Sequence, residues 1–268
     1  MLLSPDELKS NLERLRDSIR SRRCCDSIET HGLESRQAAK VMPMSHTTSE
    51  VGFLGAIKAG ALLSSEVLGK KPRRADVVLG GTNEICFYLG SAAFPDNEFG
   101  FLFSNTLTEA FRGRASATPF DSGGCIRRYS LPAGTDGLAH VQAHSMPVPE
   151  CRDYLGDLLT SHFEDSSAYL TGYQFTCPTC KAPLTDPHGM PDYENGLVRM
   201  HEVRIPDRVD LSYPMLLAIF APQGNVPPVL ARLVTSGVEL VTYDNVDENR
   251  YGALRKASVD YILSNVLN

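Results

Sequence analysis

Apolar positions recur at two spacings along this chain, and the change from one to the other separates helices from strands. After Ser4-Pro5-Asp6-Glu7, the residues Leu8, Leu12, Leu15 and Ile19 fall on one helical stripe. Ser4 is placed to cap this helix, Pro5 to enter its first turn and Glu7 to close a capping box. Arg20, Arg22 and Arg23 suit its C-terminal end. Residues 24–38 are polar and read as a linker, so 1–38 forms an N-terminal helical arm and linker ahead of a main unit, 39–268. Val41 to His46 reads as a short strand. Thr47 and Glu50 then open a second helix carrying Phe53, Leu54 and Ile57, which Gly60 stops.

Further along, Ile85–Leu89 and Phe99–Phe103 are continuous apolar runs of buried-strand type. Ala115–Gly124 is rich in small residues and reads as a loop. Pro149–Phe163 fits a helix with Cys151, Tyr154, Leu155, Leu158 and Leu159 inward. Residues 171–196 are crowded with proline and glycine and read as a long functional loop or small insertion. Leu197–Ile205, Met215–Phe220 and Val238–Tyr243 read as strands. A short helix begins at Pro227 and Pro228 and ends at Gly237, and a closing helix spans Tyr251–Leu267. The regular strand-helix alternation of a doubly wound parallel sheet is missing. The expected fold class is α+β, with a split two-sheet core and peripheral helices.

Composition narrows the setting. With 42% hydrophobic and 22% charged residues in 268, the chain has the make-up of a globular protein rather than a disordered one. No run approaches the roughly 18 consecutive apolar residues of a membrane span, and Met1–Arg23 lacks the apolar core of a secretory signal. Seven cysteines, an odd and unevenly spaced set, point to a reducing, cytoplasmic setting rather than a disulfide framework. A formal charge of −6 argues against a broad nucleic-acid surface. It leaves room for a local basic site, because Arg112, Arg114, Arg127 and Arg128 lie close together.

The candidate chemistry centres on Met200-His201-Glu202-Val203-Arg204-Ile205. Strand alternation puts Glu202 and Arg204 on one face and His201, Val203 and Ile205 on the other. A mid-strand carboxylate is costly to bury without partners, so Glu202 belongs either to an exposed edge strand or to a cleft. Met44-Ser45-His46-Thr47-Thr48 places a polar cluster, including His46 and Thr47, at a strand end, where free backbone groups suit ligand contact. Glu84–Gly90 places Tyr88 in an apolar strand beside a glycine. Singly, His46 also fits a satisfied polar residue and Tyr88 a core aromatic.

Taken in order, these segments resemble the His-Tyr-Glu branch of the ADP-ribosyltransferase superfamily. That branch includes poly(ADP-ribose) polymerases, diphtheria-type toxins and the DNA-modifying toxins of toxin–antitoxin pairs. The resemblance rests on HTTSEVGFLGAIKAG from His46 to Gly60, on the Tyr88 strand, and on HEVRIPDRVDLS from His201 to Ser212. It spans about residues 40–245. It implies an ADP-ribosyltransferase-like catalytic domain over 39–268 that uses NAD as substrate, with an inhibitory antitoxin or immunity protein as a possible partner. In such an enzyme Glu202 is the catalytic carboxylate that stabilises the cationic ribose. His46, with Thr47 beside it, contacts the adenosine ribose, and Tyr88 stacks on nicotinamide. Arg112, Arg114 or Arg127 binds the diphosphate. Water in place of an acceptor gives NAD hydrolysis.

Cys177-Pro178-Thr179-Cys180 is half of a zinc site, with Cys151, His162, His188 and His201 as candidates to complete it. Two unlinked thiols and a redox pair are the alternatives. His140 and His144, four apart, make a poor metal site without a nearby carboxylate. Asp121-Ser122-Gly123-Gly124 reads as a turn or as part of the NAD cleft, and no phosphate-binding glycine motif is present. The reading from another class is a zinc-stabilised interaction or nucleic-acid-binding protein with Glu202 on its surface. A histidine-based metal hydrolase is a third. The acceptor of ADP-ribose is left open.

Overall fold

The computed structural model describes residues 3–22, 24–25, 29–71, 74–80, 83–92, 97–127, 129, 131–172, 174–190, 200–244 and 250–268. In chain order the elements are α1 (Pro5–Ser21), α2 (Glu29–Val41), β1 (Met44–Thr48), α3 (Glu50–Ala59), β2 (Ala61–Leu63), α4 (Arg74–Leu79), β3 (Glu84–Leu89), β4 (Phe99–Phe103), α5 (Thr106–Ala110), β5 (Ser116–Thr118) and α6 (Ser122–Arg127). They continue with α7 (Gly137–His144), β6 (Met146–Pro147), α8 (Cys151–His162), α9 (Ser166–Thr171), β7 (Glu202–Pro206), β8 (Arg208–Asp210), β9 (Leu216–Pro222), α10 (Ala231–Thr235), β10 (Glu239–Tyr243) and α11 (Arg250–Asn265). The class is α+β, as the missing strand-helix alternation predicts.

Ten described strands form two unequal sheets, one of eight in the order β10-β9-β4-β1-β3-β7-β5-β6 and one of two, β2-β8. The described pairings are antiparallel except β9 with β10, whose connection runs through α10. Parallel neighbours need such a crossover, and this is the place where the chain supplies one. In the large sheet β1 pairs with β4 through all five residues but with β3 only through Met44 and Ser45. Beyond Ser45 the two strands part, and this split opens the cleft described below.

The helices hold the sheet through apolar faces that the sequence pattern anticipated. Phe53 of α3 stacks on Phe99 and Phe101 of β4 at 4.4 and 5.1 Å between ring centroids. Ser49, not Thr47, caps α3, and Gly60 ends it at φ 65°, a left-handed conformation that favours glycine. Thr47 stays in β1. Gly90, at φ 105° after β3, lies where a Cβ would stand 2.8 Å from a Leu170 methyl. Helix α8 is buried except at Asp153, with Cys151, Tyr154, Leu155, Leu158 and Leu159 in the core as expected.

The N-terminal segment departs from its sequence reading. Most of residues 24–38, polar enough to read as a linker, fall in α2, which runs on through Val41, packs on α8 and leaves the strand to begin at Met44. Helix α1 buries Leu12, Leu15 and Ile19 in the common core and lies against α8 and β6. The reason lies in α8: Asp157 is 1% exposed there and is met by Arg16 at 2.8 Å, Arg20 at 3.0 Å and Arg36 at 3.7 Å. A buried carboxylate needs partners of this kind, and those partners come from α1 and α2. A stretch that looks solvent-facing in one dimension therefore carries part of the core's charge balance.

Candidate functional site

Strand β7 fixes the site. It is an interior strand, paired with β3 on one side and β5 on the other, so the edge-strand reading of Glu202 falls. Register places Glu202 opposite both Tyr88 and Thr118, and Arg204 opposite Cys86 and Ser116. Directly paired residues share a face, so one face of the three strands presents Tyr88, Cys86, Glu202 and Arg204 together. These side chains line a cavity of about 190 Å³, closed by His46, Thr47, Ser64, Asn97, Asp121, Ser122 and Arg127 among others.

The Glu202 carboxylate is 3% exposed and strongly held. Ser122 donates to its Oε2 twice, from the backbone N–H at 2.6 Å and from the hydroxyl at 2.5 Å. Burial pushes its pKa up, and the nearby Asp121 charge pushes the same way. Arg204 and the hydrogen bonds oppose them. Asp121 is anchored by the Gly124 N–H at 2.9 Å and the Tyr129 hydroxyl at 3.2 Å. Two carboxylates thus sit in one small volume, each with its own donors. Arg204 lies 3.5 Å from Glu84 and donates to Ser116 Oγ at 3.1 Å, and its Nε is buried without a partner among the described residues.

Tyr88 is almost wholly buried, and desolvation, followed by the Asp121 and Glu202 charges, drives its pKa well above the ordinary value. Its phenol is neutral wherever the protein is folded near neutrality. His46 stands where β1 leaves β3, and its Nδ1 lies 2.8 Å from the Cys86 carbonyl. A carbonyl accepts only, so Nδ1 carries a proton, and in the neutral ring Nε2 is then the acceptor. Asn97 donates to Thr47 Oγ1 at 3.1 Å.

Of the residues singled out in the sequence, His46, Thr47, Tyr88, Arg127 and Glu202 line this one cleft. Arg112 and Arg114 do not. Arg112 is exposed and engaged by Glu109 at 2.7 Å and by Glu150. Arg114 lies 4.7 Å over the Phe111 ring and lines a separate cavity with Ser116, Gln142 and Ser145. That cavity adjoins the cleft, and Leu79, Glu84 and Arg204 line both. Arg128 lies outside the described residues. The sequence reading missed Arg204, although strand alternation already put it on the Glu202 face. It left Asp121 and Ser122 undecided between turn and cleft, and no local signal announces that Ser122 holds Glu202.

The candidates to complete the Cys177–Cys180 pair lie elsewhere. Cys151 begins α8 in the core, and His162 bonds Ser161 at 2.8 Å. His188 meets the Tyr154 hydroxyl at 2.5 Å, and His201 lies beside Tyr169. Instead the Sγ atoms of Cys24, Cys25, Cys177 and Cys180 lie within 4.8 Å of one another. The His140 and His144 rings lie tilted with centroids 4.3 Å apart, and His144 Nδ1 bonds the His140 carbonyl. Among the described residues, no helix is long and apolar enough to cross a membrane.

No family model matches the chain, and no curated protein matches it. Two solved structures of DarT from Thermus sp. 2.9 are similar to it. One, in complex with NAD+, has a TM-score of 0.39 and 10% identity, covering 74% of this chain and 94% of that one. The other, in complex with ADP-ribosylated ssDNA, has a TM-score of 0.40 and 9% identity, covering 74% of this chain and 92% of that one. At these values the likeness carries no argument about this chain's chemistry, which rests on its own residues.

Proposed function

We propose that this chain is an NAD-dependent ADP-ribosyltransferase, with Glu202 as its catalytic carboxylate and hydrolysis of NAD as the variant in which water is the acceptor. The observation that carries the reading is the convergence of His46, Tyr88 and Glu202 on one cleft. They come from three strands and lie far apart in sequence, and they are the residues through which the chain resembles the His-Tyr-Glu enzymes. A surface carboxylate, as the binding-module reading requires, is incompatible with 3% exposure.

The chemistry follows from the site. The bond between the ribose C1′ and the nicotinamide nitrogen breaks, and its electron pair leaves with nicotinamide, which becomes neutral. The ribose is left as an oxocarbenium-like cation. Glu202, buried where charge is poorly screened and held by two Ser122 donors, stabilises that cation and orients the sugar. An acceptor O–H or N–H then adds to C1′ and gives up its proton. Asp121, the second carboxylate in the cleft, is the candidate to take it. Tyr88 offers an aromatic face to the nicotinamide ring. His46 Nε2 accepts from an adenosine-ribose hydroxyl, and Arg127 and Arg204 offer cationic donors to the diphosphate. An enclosed volume of about 190 Å³ suits one end of the dinucleotide, with the remainder lying along the open cleft.

The test is incubation with NAD isotopically labelled on the adenosine half, following free nicotinamide and the fate of the label. Nicotinamide release that depends on Glu202 supports the reading. Label on a macromolecule identifies transfer, and free ADP-ribose identifies hydrolysis. A folded protein that neither binds NAD nor releases nicotinamide overturns it.

A further inference from the structure

We propose that Cys24, Cys25, Cys177 and Cys180 form a four-thiolate structural zinc site that fastens the end of α1 to the Cys/Pro-rich segment leading towards β7. The two halves come from opposite ends of the sequence reading. Cys24 and Cys25 follow α1 in what looked like linker, and Cys177 and Cys180 belong to the insertion. Only the fold brings them together.

The spacing of the sulfurs carries the inference. Zinc binds thiolates at about 2.3 Å in a tetrahedron, and such a tetrahedron has sulfur–sulfur edges of about 3.8 Å. Cys24 Sγ lies 3.5 Å from Cys180 Sγ and 3.9 Å from Cys25 Sγ, and all four sulfurs lie within 4.8 Å of one another. These separations are far longer than a disulfide's roughly 2.05 Å, and all four cysteines are free.

The backbone around the pair is built to aim both sulfurs at one point. Thr176 and Pro183 form a bridge, the Cys177 N–H donates to the Ala182 carbonyl at 2.9 Å, and the Lys181 N–H donates to the Cys177 carbonyl at 2.9 Å. The Cys180 N–H lies 3.5 Å from Cys177 Sγ and donates to it. Lys181 adopts φ 62°, a left-handed conformation that is strained for a non-glycine residue. Such a conformation persists where its surroundings demand it.

Hydrophobic burial does not explain the cluster. Cys24 and Cys180 are exposed and Cys25 is half-buried, so gathering them gains little from apolar contact. Thiolate sulfur is the ligand type that selects zinc, and a divalent cation at the centre gives four gathered sulfurs a reason to meet. The fastening acts beside a second link, the Arg22 guanidinium donating to the Pro187 carbonyl at 3.1 Å. It holds the segment whose His188 reaches the buried Tyr154 hydroxyl.

Full-length protein purified without chelator or affinity-bound metal tests the proposal by elemental analysis. About one zinc per chain is expected, released when a mercurial reagent titrates the thiols. Cys25→Ser and Cys180→Ser should each lose most of that zinc, while Cys86→Ser keeps it. Where a variant fails to fold, the wild-type chain exchanged into cobalt decides, because four thiolates give an intense sulfur-to-cobalt charge-transfer absorption. Wild-type protein with no stoichiometric metal overturns the proposal. So does stoichiometric iron in place of zinc, or a Cys24–Cys180 disulfide in freshly isolated protein.

Discussion

Glu202 and Val203 are neighbours in β7, and both are buried, at 3% and 0% exposure, yet their surroundings are opposite. Val203, with Ile205, belongs to the apolar core against the helices. Glu202, with Arg204, faces the cleft and is met by Ser122, Asp121 and Tyr88. Burial by itself therefore does not distinguish a structural from a functional residue in this strand. What distinguishes them is whether the buried group is satisfied by apolar contact or by charge and hydrogen bonds.

The largest effects expected from this contrast are reciprocal. Ile205→Ala should lower unfolding free energy by about 2–5 kcal/mol through cavity formation, with NAD cleavage per folded molecule retained. Glu202→Gln should do the reverse, keeping the unfolding midpoint while nicotinamide release falls by about 10²–10³-fold. Denaturant unfolding and nicotinamide release, measured on both variants, check the pair. Loss of both properties in both variants would erase the distinction between the two faces.

Acid should separate the faces next. Desolvation depresses His201, on the Val203 face, to about 3, and away from Glu202 it depresses His144 to about 3 and His162 to about 4. An unfolded chain protonates these histidines near 6.5 and the folded one does not, so the unfolded state binds more protons between 6.5 and the depressed values. Stability is then full above about 6.5 and falls with acidification, by roughly 1.4 kcal/mol per histidine per pH unit. Denaturant midpoints measured from pH 7 down to 4 show this directly. A flat profile over that window would mean the histidines protonate in place.

Smaller effects belong to the cleft. Tyr88→Ala should weaken NAD binding by about 0.5–1.5 kcal/mol, the worth of an aromatic stacking contact, while Tyr88→Phe stays close to wild type. Titration calorimetry with NAD distinguishes this from a packing role, in which the alanine variant would lose thermal stability and keep its affinity. The finest test is the pH profile of kcat/KM. Glu202 must be ionised to stabilise the ribose cation, and its pKa is raised above 4.5 by burial and by Asp121. Activity should be present above that raised value and fall as pH drops through it. Asp121→Asn removes one cause of the elevation, so the acid limb should move to lower pH. A limb that stays in place would remove Asp121 from the electrostatics of Glu202.

Periodicity made much of the fold legible. The β3 and β4 runs, the inward face of α8 and the Gly60 stop after α3 are local events, decided by side-chain spacing and backbone preference within a few residues. Polarity misled where a residue's partner is distant: α2 looked like linker because its Arg36 meets Asp157 across the fold. Clustering in sequence misled again at Arg112 and Arg114, which tertiary contacts turn towards Glu109, Glu150 and Phe111.

What the sequence alone determined is the class of fold, the identity of about half the elements, and a short list of residues able to do chemistry; Ala115–Gly124, read as a loop, holds β5 and the start of α6. A strand or helix answers to its own residues, so its signal is local. What only the tertiary structure decided is which of those residues meet. Register between β3 and β7 sets Tyr88 beside Glu202, the parting of β1 from β3 opens the cleft at His46, and the return of the insertion to α1 assembles four cysteines. Each depends on pairing between segments tens to more than a hundred residues apart, and no window along the chain contains that information.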